Sequence, residues 1–151
     1  MTNRFERFSY AISEIDHYWH KIAAEVLDEY GLKGSCSVYF TVLNRFPTGI
    51  TAAKLGTLCS RNKADVSRVI AQMEEKDFVR RETAGSTPYR ARLVLTERGK
   101  AVADYINQRA EIAADLASSG LSETQLAAFY DALELIAANL KKIGNKGISN
   151  Y

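Results

Sequence analysis

Apolar residues recur in steps of three and four near the start of the chain: Phe5, Phe8, Ile12, Ile15, Trp19, Ile22 and Val26. This spacing draws a narrow seam along one side of a helix, as in a coiled coil. It predicts a first helix over about residues 3–30, ended by Gly31. A second helix, about 35–46, is apolar nearly all round and closes at Pro47 and Gly49. Thr51 caps a short third helix over 52–59, with Leu55 and Leu58 turned inward. Asn62 caps a fourth, and Asp65 three residues on is expected to serve the free amides at its start. On that helix Val66, Val69, Ile70 and Met73 fall on one arc. Ala64, Ser67, Arg68, Ala71 and Glu75 take the opposite arc, with Asp65 and Gln72 on its flank.

The pattern then changes period. Residues 78–83 and 90–95 read as two strands around a tip from Ala84 to Tyr89. Thr96 caps a long fifth helix whose one side carries Val102, Tyr105, Ile106, Arg109, Ile112, Ala113 and Leu116. Ser122 and Gln125 form a capping box for a sixth, with Phe129, Tyr130, Leu133, Ile136, Ala137 and Leu140 along it. Residues 144–151 have no periodicity and are expected to fray.

Helix, short turn, helix and hairpin, in that order, describe a winged helix-turn-helix within a mostly α fold that carries a small β-hairpin wing. The first, fifth and sixth helices lie outside the reading unit, and their apolar seams need a partner. A two-fold dimer with interleaved terminal helices satisfies them and sets two recognition helices one DNA turn apart. The expected organisation is a helical dimerisation region (1–34 and 100–143), a winged helix-turn-helix lobe (35–99) and a flexible tail (144–151).

At 151 residues, 46% hydrophobic and 25% charged, the composition is that of an ordinary globular protein. No apolar run is long enough to span a bilayer and no signal-peptide pattern opens the chain, so a cytoplasmic protein without membrane partners is expected. The net charge of +2 says little, but its distribution says more. Residues 60–92 hold eight basic and five acidic side chains, a local +3 that leaves the remainder at −1. The excess sits where a DNA reader would need it. Neither a Gly-rich phosphate loop nor a metal-ligand cluster nor a nucleophile–base set is present, so neither an enzyme nor a cofactor is expected.

The stretch Leu55-Gly56-Thr57-Leu58-Cys59, Asn62-Lys63-Ala64-Asp65-Val66-Ser67-Arg68-Val69-Ile70 and Met73-Glu74-Glu75-Lys76-Asp77-Phe78-Val79-Arg80-Arg81 resembles the MarR family of transcription regulators. Leu93-Val94-Leu95-Thr96-Glu97-Arg98-Gly99-Lys100 continues the resemblance. Ser67-Arg68, Met73-Glu74 and Leu95-Thr96 with Gly99 stand where that family shows a Ser-Arg pair, a Leu-Glu and a Leu-Thr with a following Gly. Two places depart from it. Thr87-Pro88-Tyr89-Arg90 replaces the wing's usual Asp-x-Arg, and Asp65 replaces Thr or Ser.

These readings assign roles. Arg68 is the first candidate to grip a guanine edge or clamp a phosphate. Ser67 is expected on phosphate or base, and Arg61 and Lys63 on phosphate. Ala64 and Gln72 share the exposed face. Asp65 is a helix cap or a reader of a cytosine amino group, the cap being favoured. Arg90 and Arg92 share a strand face, and Arg81 is expected to join them from the facing strand. The resemblance further implies a small, often aromatic or anionic, effector between the dimer helices and the reading lobe. His17, Trp19, His20, Tyr39 and Arg45 are the candidate lining residues. His17 and His20, three apart, also suit a metal edge, although no third ligand is visible. Cys36 lies near a helix start, where the dipole can lower its pKa, and Cys59 reads as a small buried residue.

The expected function is a homodimeric, effector-modulated repressor that binds double-stranded DNA at a pseudo-palindromic operator. The alternatives are a winged-helix protein-interaction module without specific DNA binding, and a metal- or redox-responsive regulator.

Overall fold

The computed structural model describes residues 3–83 and 91–150. Among these, α1 (Arg4–Leu27), α2 (Ser37–Asn44), α3 (Ala52–Cys59) and α4 (Lys63–Glu75) lead into the hairpin strands β1 (Val79–Glu82) and β2 (Arg92–Leu95). Two long helices follow, α5 (Glu97–Ala117) and α6 (Glu123–Lys146). Backbone contacts divide the chain into one unit up to Ala113 and another from Ala114 onward, so α5 begins in the first and ends in the second. The mostly helical fold with a small hairpin is the one the sequence predicts.

In the first unit the helix ends follow local chemistry. Asn3 opens α1 with a capping box: its side chain accepts from the Phe5 amide while Glu6 accepts from the Asn3 amide. The α-helix stops at Leu27, three residues short of the expected end, and tightens into a 3-10 turn over Asp28–Tyr30. A second 3-10 turn, Gly34–Cys36, replaces the expected first turn of α2. A Cβ on Gly34 would stand 2.3 Å from the His20 carbonyl oxygen, so the chain here lies directly against the α1 backbone.

Tyr39, Phe40, Leu43, Leu55, Ile70, Met73, Phe78 and Leu93 form the centre of the core. Phe78 is its hinge pin. Its ring meets Tyr30 and Phe40 edge-on at 5.6 and 5.5 Å, and the Arg98 guanidinium lies 5.0 Å from its centroid. The antiparallel register pairs Val79 with Leu95, Arg80 with Val94, Arg81 with Leu93 and Glu82 with Arg92. On its other edge Leu93 exchanges two backbone hydrogen bonds with Ile50, a contact too distant in sequence for periodicity to announce. The expected hairpin tip and Arg90 lie outside the described residues.

The Leu-Thr-x-x-Gly sequence now has a physical meaning. The Thr96 hydroxyl donates to the Asp77 carbonyl at 2.6 Å and accepts from the Gly99 amide, while the Thr96 amide donates to the Phe78 carbonyl. Gly99 must be glycine because an added Cβ would sit 1.9 Å from the Phe78 carbonyl oxygen. This clasp fixes the residues that lead into β1 to the start of α5.

The seam of α1 stays open. Phe5, Phe8, Ile12, Ile15, Trp19 and Ile22 are exposed, and only Val26 and Leu27 at its end are buried. In the second unit, Ser122 and Gln125 form the expected capping box and α6 buries none of its residues. Phe129, Tyr130, Leu133, Ile136 and Leu140 are all exposed. Within the residues expected to form the tail, α6 runs past Gly144 to Lys146, and Ile148–Asn150 forms a 3-10 turn. Gly144 lies in open space, so the helix simply continues through it. No helix among the described residues is long and apolar enough to cross a membrane.

Candidate nucleic-acid interface

The turn between α3 and α4 is built from backbone hydrogen bonds. Ser60 ends α3 in the left-handed region (φ 53°), and the Arg61 amide donates to the Gly56 carbonyl at 2.9 Å. Asn62 then caps α4, its side-chain oxygen accepting from the Asp65 amide at 2.9 Å. On α4, Val66, Ile70 and Met73 are buried. Lys63, Ala64, Ser67, Arg68, Ala71 and Gln72 are exposed. The polar arc expected from the sequence is therefore the solvent face. Beside it a shallow groove of about 290 Å³ runs between small residues of α3 (Ala52, Ala53, Gly56, Thr57) and Arg61, Lys63 and Ser67. Small walls and unopposed cations suit the close approach of a phosphate backbone. Among the described residues Arg61 and Lys63 form no ion pair.

Three of the expected residues are differently engaged. The Asp65 carboxylate does not close a reciprocal cap; it accepts from the Arg68 guanidinium one turn along. Only the Asp65 amide takes part in the cap. Arg81 does not join Arg92. The register sets Arg81 opposite Leu93 and Arg92 opposite Glu82, on opposite faces of the hairpin. Arg81 instead grips Glu74 at the end of α4, its Nε 2.8 Å from Oε1 and its Nη2 3.4 Å from Oε2. Arg92 turns back to the Gly49 carbonyl at 3.4 Å, and Arg80, on its face, pairs with Glu82. The described part of the hairpin thus spends its arginines on bracing.

A second cavity, about 420 Å³, opens among α1, α2 and α5. Its apolar walls include Trp19, Ile22, Val26 and Ile106, and its polar groups include Asp16, His20, Thr41, Arg61, Asn107 and Arg109. Of the expected effector residues it contains Trp19 and His20 only. His17 stacks edge-on against Tyr18, Arg45 is exposed at the end of α2, and Tyr39 is fully taken up by the core. His20 is oriented through Nδ1, 2.9 Å from the Asp16 carbonyl oxygen. One sign of this cavity is visible in the sequence, the charged Arg109 on the otherwise apolar side of α5. Arg61 lines both the cavity and the groove beside α4.

Cys36 and Cys59 are both buried. Burial pushes the Cys36 thiol up, overriding the lowering expected from a helix start, and pushes Cys59 up to about 11. Both stay protonated near neutral pH, which is poor chemistry for an oxidant sensor. No cluster of three or more metal-ligating side chains exists among the described residues.

No protein-family model and no curated protein matches this chain by sequence. Solved structures do match its shape. A MarR transcriptional regulator from Methanosarcina mazei Go1 is 22% identical, covers 95% of this chain and 94% of its own, and superposes with a TM-score of 0.81. The transcriptional regulator SlyA gives 24% identity, coverages of 89% and 94%, and a TM-score of 0.82. A putative MarR family regulator from Listeria monocytogenes, solved with a 26mer DNA, gives 21%, 97% of each chain, and 0.79. The chain has the fold of the MarR family regulators.

Proposed function

We propose that this protein is a MarR-type, non-enzymatic transcription regulator that acts in the cytoplasm as a homodimeric repressor on a near-palindromic DNA site. The observation that carries the reading is α4: buried on one arc, capped at its start, and presenting Lys63, Ser67, Arg68 and Gln72 on the other. A helix built so, behind a groove of small residues and cations, meets the steric and electrostatic demands of the major groove. The likeness in fold to a regulator solved with DNA supports the same reading. The open seams of α1 and α6 supply the surface that a second copy would cover.

The cavity beneath the reading unit is the effector site in this proposal. Apolar walls with Arg61, Arg109 and His20 suit a compact anion with an aromatic body. Because Arg61 belongs to both the cavity and the groove, a ligand there would act on the DNA-facing surface directly.

A gel-shift titration against DNA from upstream of the gene tests the proposal. Specific binding should weaken steeply with salt. Arg68→Ala should lower specific affinity by roughly 10- to 100-fold, the worth of a bidentate base contact. Retention of full specific affinity in that variant would remove α4 as the reader. Absence of any salt-dependent binding would instead favour a protein-interaction module.

A further inference from the structure

We infer that Asp65 and Arg68 act as one reading unit, in which Asp65 holds the arginine for a guanine and itself selects a cytosine in the neighbouring base pair. The inference rests on the proposal that α4 reads DNA and adds a residue that sets its specificity.

The position of Asp65 is fixed by its backbone. The Asn62 side chain holds its amide, so the carboxylate is free of capping work. One oxygen, Oδ1, takes a hydrogen bond from Arg68 Nη2, and the other accepts none among the described residues. A guanidinium has five donors in a planar fork, so yielding one to Asp65 leaves enough for the two-bond grip on guanine O6 and N7. That shared bond also removes rotamer freedom that a long side chain would otherwise lose on docking.

Charge supplies the second step. A lone carboxylate facing phosphates is repelled, and pairing with Arg68 offsets that repulsion. In a contact that excludes water, the free oxygen needs a donor from a base edge. In the major groove the donors are the amino groups of cytosine and adenine. Adenine sets the N7 acceptor beside its amino group, which opposes a carboxylate; cytosine does not. The spacing of the two residues suits contacts on adjacent pairs. Three residues of helix rise about 4.5 Å, close to the roughly 3.4 Å of one base step.

The test uses the full chain and a randomised duplex library. Selection is carried out with wild type, Asp65→Asn, Arg68→Ala and the double variant, followed by titration of the selected duplexes. Wild type should enrich a guanine flanked by a cytosine. Asp65→Asn should keep the guanine, lose discrimination at the neighbouring pair about tenfold, and bind random DNA more tightly because a repulsive charge is gone. On the Arg68→Ala background the same change should raise affinity evenly without altering sequence preference. If Asp65→Asn selects the wild-type pool, or shifts affinity equally for every sequence, Asp65 is a counter-charge only and the inference falls. If wild type enriches nothing and shows no salt-dependent binding, the DNA-reading proposal itself fails, a result distinct from the loss of Asp65's role alone.

Discussion

The reading helix and the first helix carry the same kind of hydrophobic periodicity, yet the structure treats them oppositely. On α4, Val66, Ile70 and Met73 are at most 3% exposed. On α1, Phe5 is 70% and Ile15 58% exposed. A repeat of three and four identifies which side chains share a face; it does not say what covers that face. For α4 the cover is local, supplied by α3 and β1 within a continuous cluster. For most of α1 no such cover exists among the described residues.

The largest effect is expected at the seam of α1. Ile15→Asp places a charge on a face that is solvated in the single chain but would be dry in the proposed dimer. Burying an unpaired charge costs roughly 4 kcal/mol, or about a thousandfold in the dimer dissociation constant. Light scattering after gel filtration should show monomer, while the circular dichroism of the monomeric chain stays helical. A variant that remains a dimer would move the interface off this face of α1.

The opposite test strikes the covered region. Gly99→Ala drives a methyl into the Phe78 carbonyl oxygen, 1.9 Å from where the Cβ must stand, and neither backbone can yield without opening the Thr96 clasp. Overpacking of this kind should cost about 3 kcal/mol. Urea unfolding should record the loss, with the midpoint lowered and the oligomeric state unchanged at low denaturant. Unaltered stability would mean that the clasp does not hold the hairpin to α5.

Local chemistry was the readable part of this chain. Thr51, Asn62 and Ser122 announce their helices, and α3 spans the expected residues, although of its two leucines only Leu55 is inward and Leu58 is exposed. What escaped depends on partners far away in sequence. Ile50 meets Leu93 across the loop before α3, and Arg81 reaches Glu74 because the hairpin register turns it away from Arg92. The cavity escaped in part because it gathers residues from α1, α2 and α5 and from the end of α3 with its following turn; Trp19 and His20 are legible as candidates on α1, whereas Arg61 and Asn107 carry no local sign of it. Asp65 was misjudged for a different reason. An acid three residues before an arginine is a readable ion pair, but it competes with the capping role, and only the observed bond separates the two.

The finest test lies inside the covered region. Tyr39 is 2% exposed and its hydroxyl has no hydrogen-bond partner among the described residues. The family resemblance implies it as a candidate effector residue; its burial makes it a core residue carrying an unsatisfied oxygen. Tyr39→Phe should therefore leave the fold intact and stabilise it by up to about 1 kcal/mol. The same burial pushes the Tyr39 phenol above its ordinary value of 10.0, so the folded protein resists ionising it more than the unfolded chain does. Stability from this group is fully present below that unfolded value and is lost as the pH rises toward the folded one. The variant should lose less stability than wild type in urea titrations carried from pH 9 toward 11. Part of the alkaline decline should persist, because Cys59, pushed up to about 11, titrates by the same logic and remains. A Phe variant less stable than wild type at neutral pH would show that the hydroxyl is bonded in solution, and the contrast between a closed core and an open seam would then need a polar link inside the core.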